Sequence, residues 1–349
     1  MKILYAGAQA GGISSLYRRQ ALERLGHTVV TLDPNDYLFE NQLLQKLAFR
    51  VSVGPQVQRL NRDLMRLAGA EKPDIFWADK VLLLQPRTLK RMSAMGITSV
   101  SYMIDNAFGP RRDPGWRLYM KDIPFFDLHV TQRSVNFADY LTRGARDVMK
   151  VQTAYEATVH FPPPEGWSDK DRDREVSFVG TPYDDRAEVL SRLSDAGLPV
   201  TISGSARLWA AALSEAAYAK MFRVGELYEA DYREAIWRSK INLSFLTRSN
   251  HDEYTHKSFE IAGCGGFLMA ERCEGHSLKF REDEEAVFFS GVEELIEKIR
   301  RYLPDEQART RIAAAGCERA VRDGYHNDHQ VELIVARVEQ IRAGRRAVV

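Results

Sequence analysis

Cysteine is scarce in this chain. The 349 residues include three, Cys264, Cys273 and Cys317, an odd number with no CxxC spacing. That speaks against a disulfide framework or a thiolate zinc site and reads as free thiols in a reducing compartment. A surplus of one charge is also missing. Lys and Arg number 49 against 48 Asp and Glu, a formal net charge of +1. No global field therefore draws the protein to nucleic acid or an acidic polymer, and any basic patch must be local. No hydrophobic run approaches the ~18 apolar residues of a membrane span. The opening KILYAGA has the length of a buried strand and lacks the apolar core and small-residue cleavage site of a signal peptide, so a cytoplasmic protein is expected.

What is present is an ordinary globular composition, 44% hydrophobic and 28% charged, in a chain comfortable for two domains. The first half alternates strand-like and helix-like segments. Lys2–Ala6 reads as a strand and Ser14–Leu25 as a helix with Tyr17, Ala21, Leu22 and Leu25 on one face. Gly26 stops that helix and Thr28–Leu32 follows as a strand, with further strands at Asp74–Trp77, Thr98–Ile104, Leu128–Thr131 and Asp147–Gln152. Short, fully apolar strands separated by helices imply a parallel sheet covered on both faces. The pattern breaks at His160–Glu175, where three prolines precede SDKDRDRE. This composition reads as an inter-domain linker. A second cycle then begins with strands at Val176–Val179, Val200–Ser203, Ile241–Phe245 and Phe267–Ala270 and a helix at Ala187–Ala196. The fold class is therefore α/β, with two Rossmann-like parallel-sheet domains at 1–160 and 174–325. At 326–349 an amphipathic helix, with Val331, Ile334, Val335, Val338 and Ile341 at helical spacing, packs back on one or both of them.

The stretch DEYTHKSFEIAGCGGFLMAE at 252–271 is the most informative. Asp252 and Glu260 stand eight positions apart across a helix start expected near Glu253–Tyr254. Thr255, His256 and Lys257 would occupy its first turn, where a hydroxyl, free amides and a positive charge all favour a diphosphate. Lysine there is unfavourable without an anion, which suggests function. Glu260 sits between Phe259 and Ile261, and a carboxylate in that setting needs partners, either the hydroxyls of a ribose or a structural cation.

The loop Gly7-Ala-Gln-Ala-Gly11-Gly12 misses the GxGxxG spacing of dinucleotide folds. Gly11 and Gly12 form either an acceptor-side ligand loop or a bare strand-to-helix turn. Gly180-Thr181 and Gly204-Ser205 follow the first two strands of the second domain and face the crevice at their carboxyl ends. Arg186, next in line, reads either as a phosphate ligand or as a solvated surface residue. Asp105 closes the Thr98–Ile104 strand and reads either as an acceptor-side catalytic carboxylate or as a turn cap. The His251, Asp252, Glu253, His256 group lacks the HExxH order and a third ligand, so no metal and no cofactor are expected.

Together VSFVGTPYDDRAEVLSRL, SKINLSFL, HKSFEIAGCGGFLMAE and AVFFSGVEELIEKIRRYL resemble the CgeB-type (spore maturation) glycosyltransferase-like proteins and, more distantly, glycosyltransferase family 4 of GT-B fold. The resemblance covers most of Val176–Tyr325, while the first domain matches only in pattern. It implies two Rossmann-like domains with a cleft between them, a nucleotide-sugar donor held by the second, and no metal. The family 4 pair of Glu residues falls on Asp252 and Glu260. Glu260 would hold the ribose and Asp252, an Asp in place of Glu, would contact the donor sugar. Asp105 stands where family 4 often has His, which leaves retention or inversion open. The implied reaction moves a sugar from a nucleoside-diphosphate sugar to an acceptor hydroxyl, whether of a glycan, lipid-linked sugar, protein or small molecule. Lys257, Arg186 and helix amides would stabilise the departing diphosphate. A GT-B nucleotide-sugar 2-epimerase and a non-catalytic nucleotide- or sugar-binding protein of surface or spore assembly are the alternatives.

Overall fold

The computed structural model describes residues 1–51, 54–109, 115–248 and 251–346. It divides into two compact units, Met1–Gln152 with Asn327–Val349, and Thr153–His326. The first holds β1 (Lys2–Ala6), β2 (Thr28–Leu32), β3 (Ile75–Asp79), β4 (Thr98–Met103), β5 (Leu128–Thr131) and β6 (Val148–Lys150). They form one six-stranded sheet in the order β2-β1-β3-β4-β5-β6, parallel throughout. The second holds β7 (Arg174–Val179), β8 (Val200–Ser203), β9 (Phe222–Val224), β10 (Ser239–Ser244), β11 (Leu268–Glu271) and β12 (Val287–Phe289). Its order is β12-β11-β10-β7-β8-β9, again all parallel.

Both sheets grow outward from their first strand on one side and then return to the other. The strand order thus reverses between β1 and β3 in the first unit and between β7 and β10 in the second. At such a switch point the loops leave in opposite directions and open a crevice beyond the carboxyl ends. Central strands are covered by helices on both faces: every residue of β3, β4 and β5 is buried, including polar ones such as Ser99, Ser101 and His129. In the first unit Tyr5, Trp77 and Tyr102 stack across β1, β3 and β4 with successive centroids 6.2 Å apart.

The observed elements differ from the expected ones in three places. The boundary falls between Gln152 and Thr153, so His160–Glu175 is no linker but part of the second unit. Its aromatic residues hold it there: Trp167 Nε1 donates to the Trp237 carbonyl at 3.1 Å, and Trp237 Nε1 to the Phe161 carbonyl at 2.9 Å. The proline and charge signal concealed those anchors. The last helix runs Asn327–Arg346 and belongs to the first unit. Val331, Ile334, Val335 and Val338 enter the core around Trp77 and Tyr102. Arg337 and Arg342 reach Asp147 and Asp74 at 2.8 and 2.7 Å, while Arg24 and Arg345 pair with Asp328 and Asp127. Finally, the edge strands β9 and β12 are three residues each, too short for an alternation to stand out.

Candidate functional site

The site in the second unit is built on backbone closeness at the β7–β10 switch point. Gly180 ends β7; its amide donates to Ser203 at 2.9 Å and its carbonyl accepts from Trp209 Nε1 at 2.8 Å. Gly204, after β8, has φ +152°, and a Cβ there would lie 2.1 Å from the Gly180 carbonyl oxygen. Only glycine permits this approach.

Arg186 opens the helix Arg186–Asp195 and is buried. Its Nη1 donates to the Thr181 carbonyl at 3.1 Å, and its Nη2 lies 3.3, 3.1 and 3.0 Å from the Phe245 and Leu246 carbonyls and the Thr247 hydroxyl. The side chain thus ties the loop after β7 to the loop after β10, rather than standing solvated. Burial lowers its pKa against the opposing charges of Asp184, Asp252 and Glu271.

The helix expected to begin near Glu253–Tyr254 runs His256–Gly263, with Thr255 as its N-cap. Asp252 therefore precedes it, in a turn where its amide donates to the Thr247 carbonyl at 3.4 Å. The Thr255 side chain does not cap the helix; its hydroxyl meets Ser244 Oγ at 2.9 Å. Ser244 also meets Ser258 at 3.0 Å, and Ser258 meets His276 Nε2 at 2.8 Å. The other His276 nitrogen faces the Glu271 carbonyl at 2.7 Å. A carbonyl only accepts, so Nδ1 carries the proton and Nε2 accepts from Ser258. Burial keeps this imidazole neutral by lowering its pKa. The chain of contacts fixes the start of the helix to the ends of β10 and β11.

On that helix Lys257 and Glu260 are one turn apart. Lys257 runs past the β7 turn: a Cβ on Gly180 would lie 3.1 Å from its Cε. Burial lowers the ammonium pKa, Glu260 opposes that and Arg186 adds to it. Glu260 Oε2 accepts from the Tyr232 hydroxyl at 3.0 Å. Burial pushes the carboxyl pKa up, but His160, Lys257, His256 and the Tyr232 hydrogen bond outweigh it, so the net shift is downward. Glu260 is an anion at neutral pH. His256 itself pairs through Nδ1 with Thr153 Oγ1. The structure thus gathers Gly180, Thr181 and Arg186 around the switch point, sets Lys257 against the Gly180 turn, and places Glu260 one helical turn further on. Tyr232, His160 and Thr153 were not singled out from sequence. Tyr232 and Ile236 stand four positions apart, the spacing of an apolar helix stripe and the one sequence signal that could have pointed at this face.

Asp105, Gly11 and Gly12 belong to the first unit. Asp105 Oδ2 lies 2.6 Å from Lys80 Nζ, and Lys80 has φ +53°. Gly12 has φ +74°, yet the tightest glycine of the loop is Gly7, where a Cβ would meet Ser15 Oγ at 2.4 Å and Asp79 Cβ at 2.9 Å. Beside it opens a cavity of about 370 Å³ lined by Ile13, Ser14, Arg18, Asn35, Asp79 and Lys80. Among the described residues no group of three or more His, Cys, Asp and Glu is placed to hold a metal ion. No helix among them is long and apolar enough to cross a membrane.

Residues 186–336 match the Glycosyl transferase-like family model. No curated protein matches the chain at the level of sequence. Among solved structures, sucrose-phosphate synthase from Thermosynechococcus elongatus is similar with TM-score 0.66 and 12% identity over 99% of this chain and 100% of that one. HepE from Anabaena, in complex with UDP and glucose, gives 0.66 and 12% over 97% and 100%. A UDP-forming trehalose-phosphate synthase from Burkholderia xenovorans gives 0.64 and 13% over 97% and 99%. The two parallel-sheet units are those of the GT-B fold. The family match lies mainly in the second unit, the part of the chain that carries Lys257 and Glu260.

Proposed function

We propose that this protein transfers a sugar from a nucleoside-diphosphate sugar to an acceptor hydroxyl, without a metal ion and with retention at the anomeric carbon. The observation that carries the donor reading is the Lys257–Glu260 pair at the switch point of the second sheet. An ammonium at an uncapped helix start offers charge and amides to a diphosphate. One turn away, an ionised carboxylate offers acceptors to the two hydroxyls of a ribose. Lys257 and the helix amides do the electrostatic work of stabilising the leaving diphosphate. Arg186 adds its charge while holding the Thr181 and Thr247 loops. Thr255 and His256 shape the mouth of the helix, and Asp252 contacts the donor sugar. Asp105 is the candidate for the acceptor side, with the Gly11–Gly12 loop. Retention and the finer CgeB-type assignment rest on the motif resemblance, and a cytoplasmic location on the cysteine content. The UDP bound by HepE favours a uridine donor. The acceptor belongs to a glycan, a lipid-linked sugar, a protein or a small molecule.

Melting of the purified protein with UDP-, GDP-, dTDP-, ADP- and CMP-sugars, with and without EDTA, tests this. Stabilisation by one nucleotide class, unchanged by EDTA, is expected; no stabilisation by any of them counts against a donor site. A second reading is a 2-epimerase. It is favoured by the likeness to a putative UDP-N-acetylglucosamine 2-epimerase from Listeria monocytogenes, with TM-score 0.54 and 13% identity over 96% of this chain and 95% of that one. Product analysis separates the two: a transferred sugar for the transferase, an isomerised donor for the epimerase.

A further inference from the structure

We infer that Tyr232 is the positioning residue of the donor site, setting the Glu260 carboxylate for the ribose and the Lys257 ammonium for the diphosphate from one side chain. This rests on the donor reading above.

Tyr232 lies on the helix Glu229–Trp237 and is buried against the helix that carries Glu260. Its hydroxyl donates to Glu260 Oε2 at 3.0 Å. Its ring carries the Lys257 ammonium 5.0 Å from the centroid, and the His160 ring meets it edge-on at 5.8 Å. The phenol therefore touches the anion with its donor and the cation with its π face. A carboxylate with one oxygen held by a phenol cannot swing about its last torsion, and its second oxygen keeps a fixed direction. An ammonium resting on an aromatic face is held without losing its charge. The hydroxyl and the ring have separable jobs, and the hydroxyl's job is felt only by a ligand that uses the Glu260 carboxylate.

The test uses the full chain and isothermal titration with UDP, GDP and ADP, each beside its 2′,3′-dideoxy counterpart. Tyr232→Phe removes the hydroxyl and keeps the ring. Loss of a hydrogen bond to a charged group should weaken the nucleotide that binds wild type by about tenfold. The same variant should bind the dideoxy counterpart as wild type does, and should remain folded without nucleotide. In a Glu260→Ala background, Tyr232→Phe should cause no further loss. Wild-type affinity in Tyr232→Phe while Glu260→Ala loses it, or an equal penalty on both sugars, would overturn the inference and leave the donor reading standing. Wild-type affinity in Glu260→Ala, or no binding of any of the three nucleotides, would overturn the donor reading and the inference with it.

Discussion

In the first unit the charges at the carboxyl ends of the strands are closed on one another. Arg18 meets Asp79 through two contacts, 2.6 and 2.8 Å. Tyr5 donates to the same carboxylate at 2.6 Å, and the Arg18 guanidinium rests 4.1 Å over the Tyr102 ring. Lys80 is likewise paired with Asp105. In the second unit, at its own switch point, Glu260 accepts from the Tyr232 phenol and Lys257 lies over the same ring. Each sheet reverses once, the first after two strands and the second after three. The first holds its central charges in a direct ion pair. In the second, Lys257 and Glu260 act on each other with no direct ion pair among the described residues. Topology sets where a crevice opens. Whether it binds a charged ligand depends on whether the charges beside it already satisfy each other.

The largest way to break this comparison is to open the closed pair. Arg18→Ala leaves the buried Asp79 carboxylate uncompensated and should cost roughly 3–5 kcal/mol, read by urea denaturation as early melting of the first unit. A small change would mean that Asp79 is solvated and not part of the fold.

Next comes Asp122, a buried carboxyl of the first unit whose two oxygens have no hydrogen-bond partner among the described residues. Burial, weakly opposed by Lys121, pushes its pKa up to about 9. The folded value lies above the unfolded one, so its contribution is fully present at acid pH. It is lost as pH rises from about 4 toward 9, because only the unfolded chain ionises there. Asp122→Asn removes that titration. The variant should gain stability over wild type between pH 4.5 and 8, by on the order of 5 kcal/mol. Parallel denaturation curves at the two pH values check it, and an equal difference at both would show that Asp122 is ionised in the folded protein.

Lys257→Gln probes the other side of the comparison and should act more gently. Removing an ammonium at a helix start next to a diphosphate should weaken a nucleoside diphosphate by about fivefold, roughly 1 kcal/mol. Its effect on the nucleoside alone should be little, and titration at two salt concentrations should show a shallower salt dependence. An equal loss for the nucleoside would make Lys257 a packing residue rather than an anion ligand.

Much of the fold was legible. The strands Lys2–Ala6, Thr28–Leu32, Val200–Ser203 and Leu128–Thr131 stand where the short, β-branched-rich runs put them, because such residues suit a pleated strand. The Val331–Val338 stripe was legible as a packed helix, but its Arg partners Asp74, Asp127 and Asp147 are far off in sequence. Of the candidate site, the 252–271 stretch carried its chemistry on its face. Arg186 did not: a guanidinium between charged neighbours looks solvated until the loops after β7 and β10 close on it. Tyr232 was equally silent, since its phenol differs from a core aromatic only by the carboxylate it meets.

Local order, therefore, is what the amino-acid sequence determined alone: two rounds of strand and helix, and a Lys and a Glu one helical turn apart at a helix start. Those follow from periodicity and from spacing along one element, which neighbours in the chain decide. The tertiary structure decided which unit the last helix joins, that the proline-rich stretch belongs to the second unit, and which charges are closed and which open. Those depend on partners brought together across long loops, such as Arg18 with Asp79 and Glu260 with Tyr232. Burial then sets their strength, because a charge taken out of water must find a partner wherever the fold supplies one.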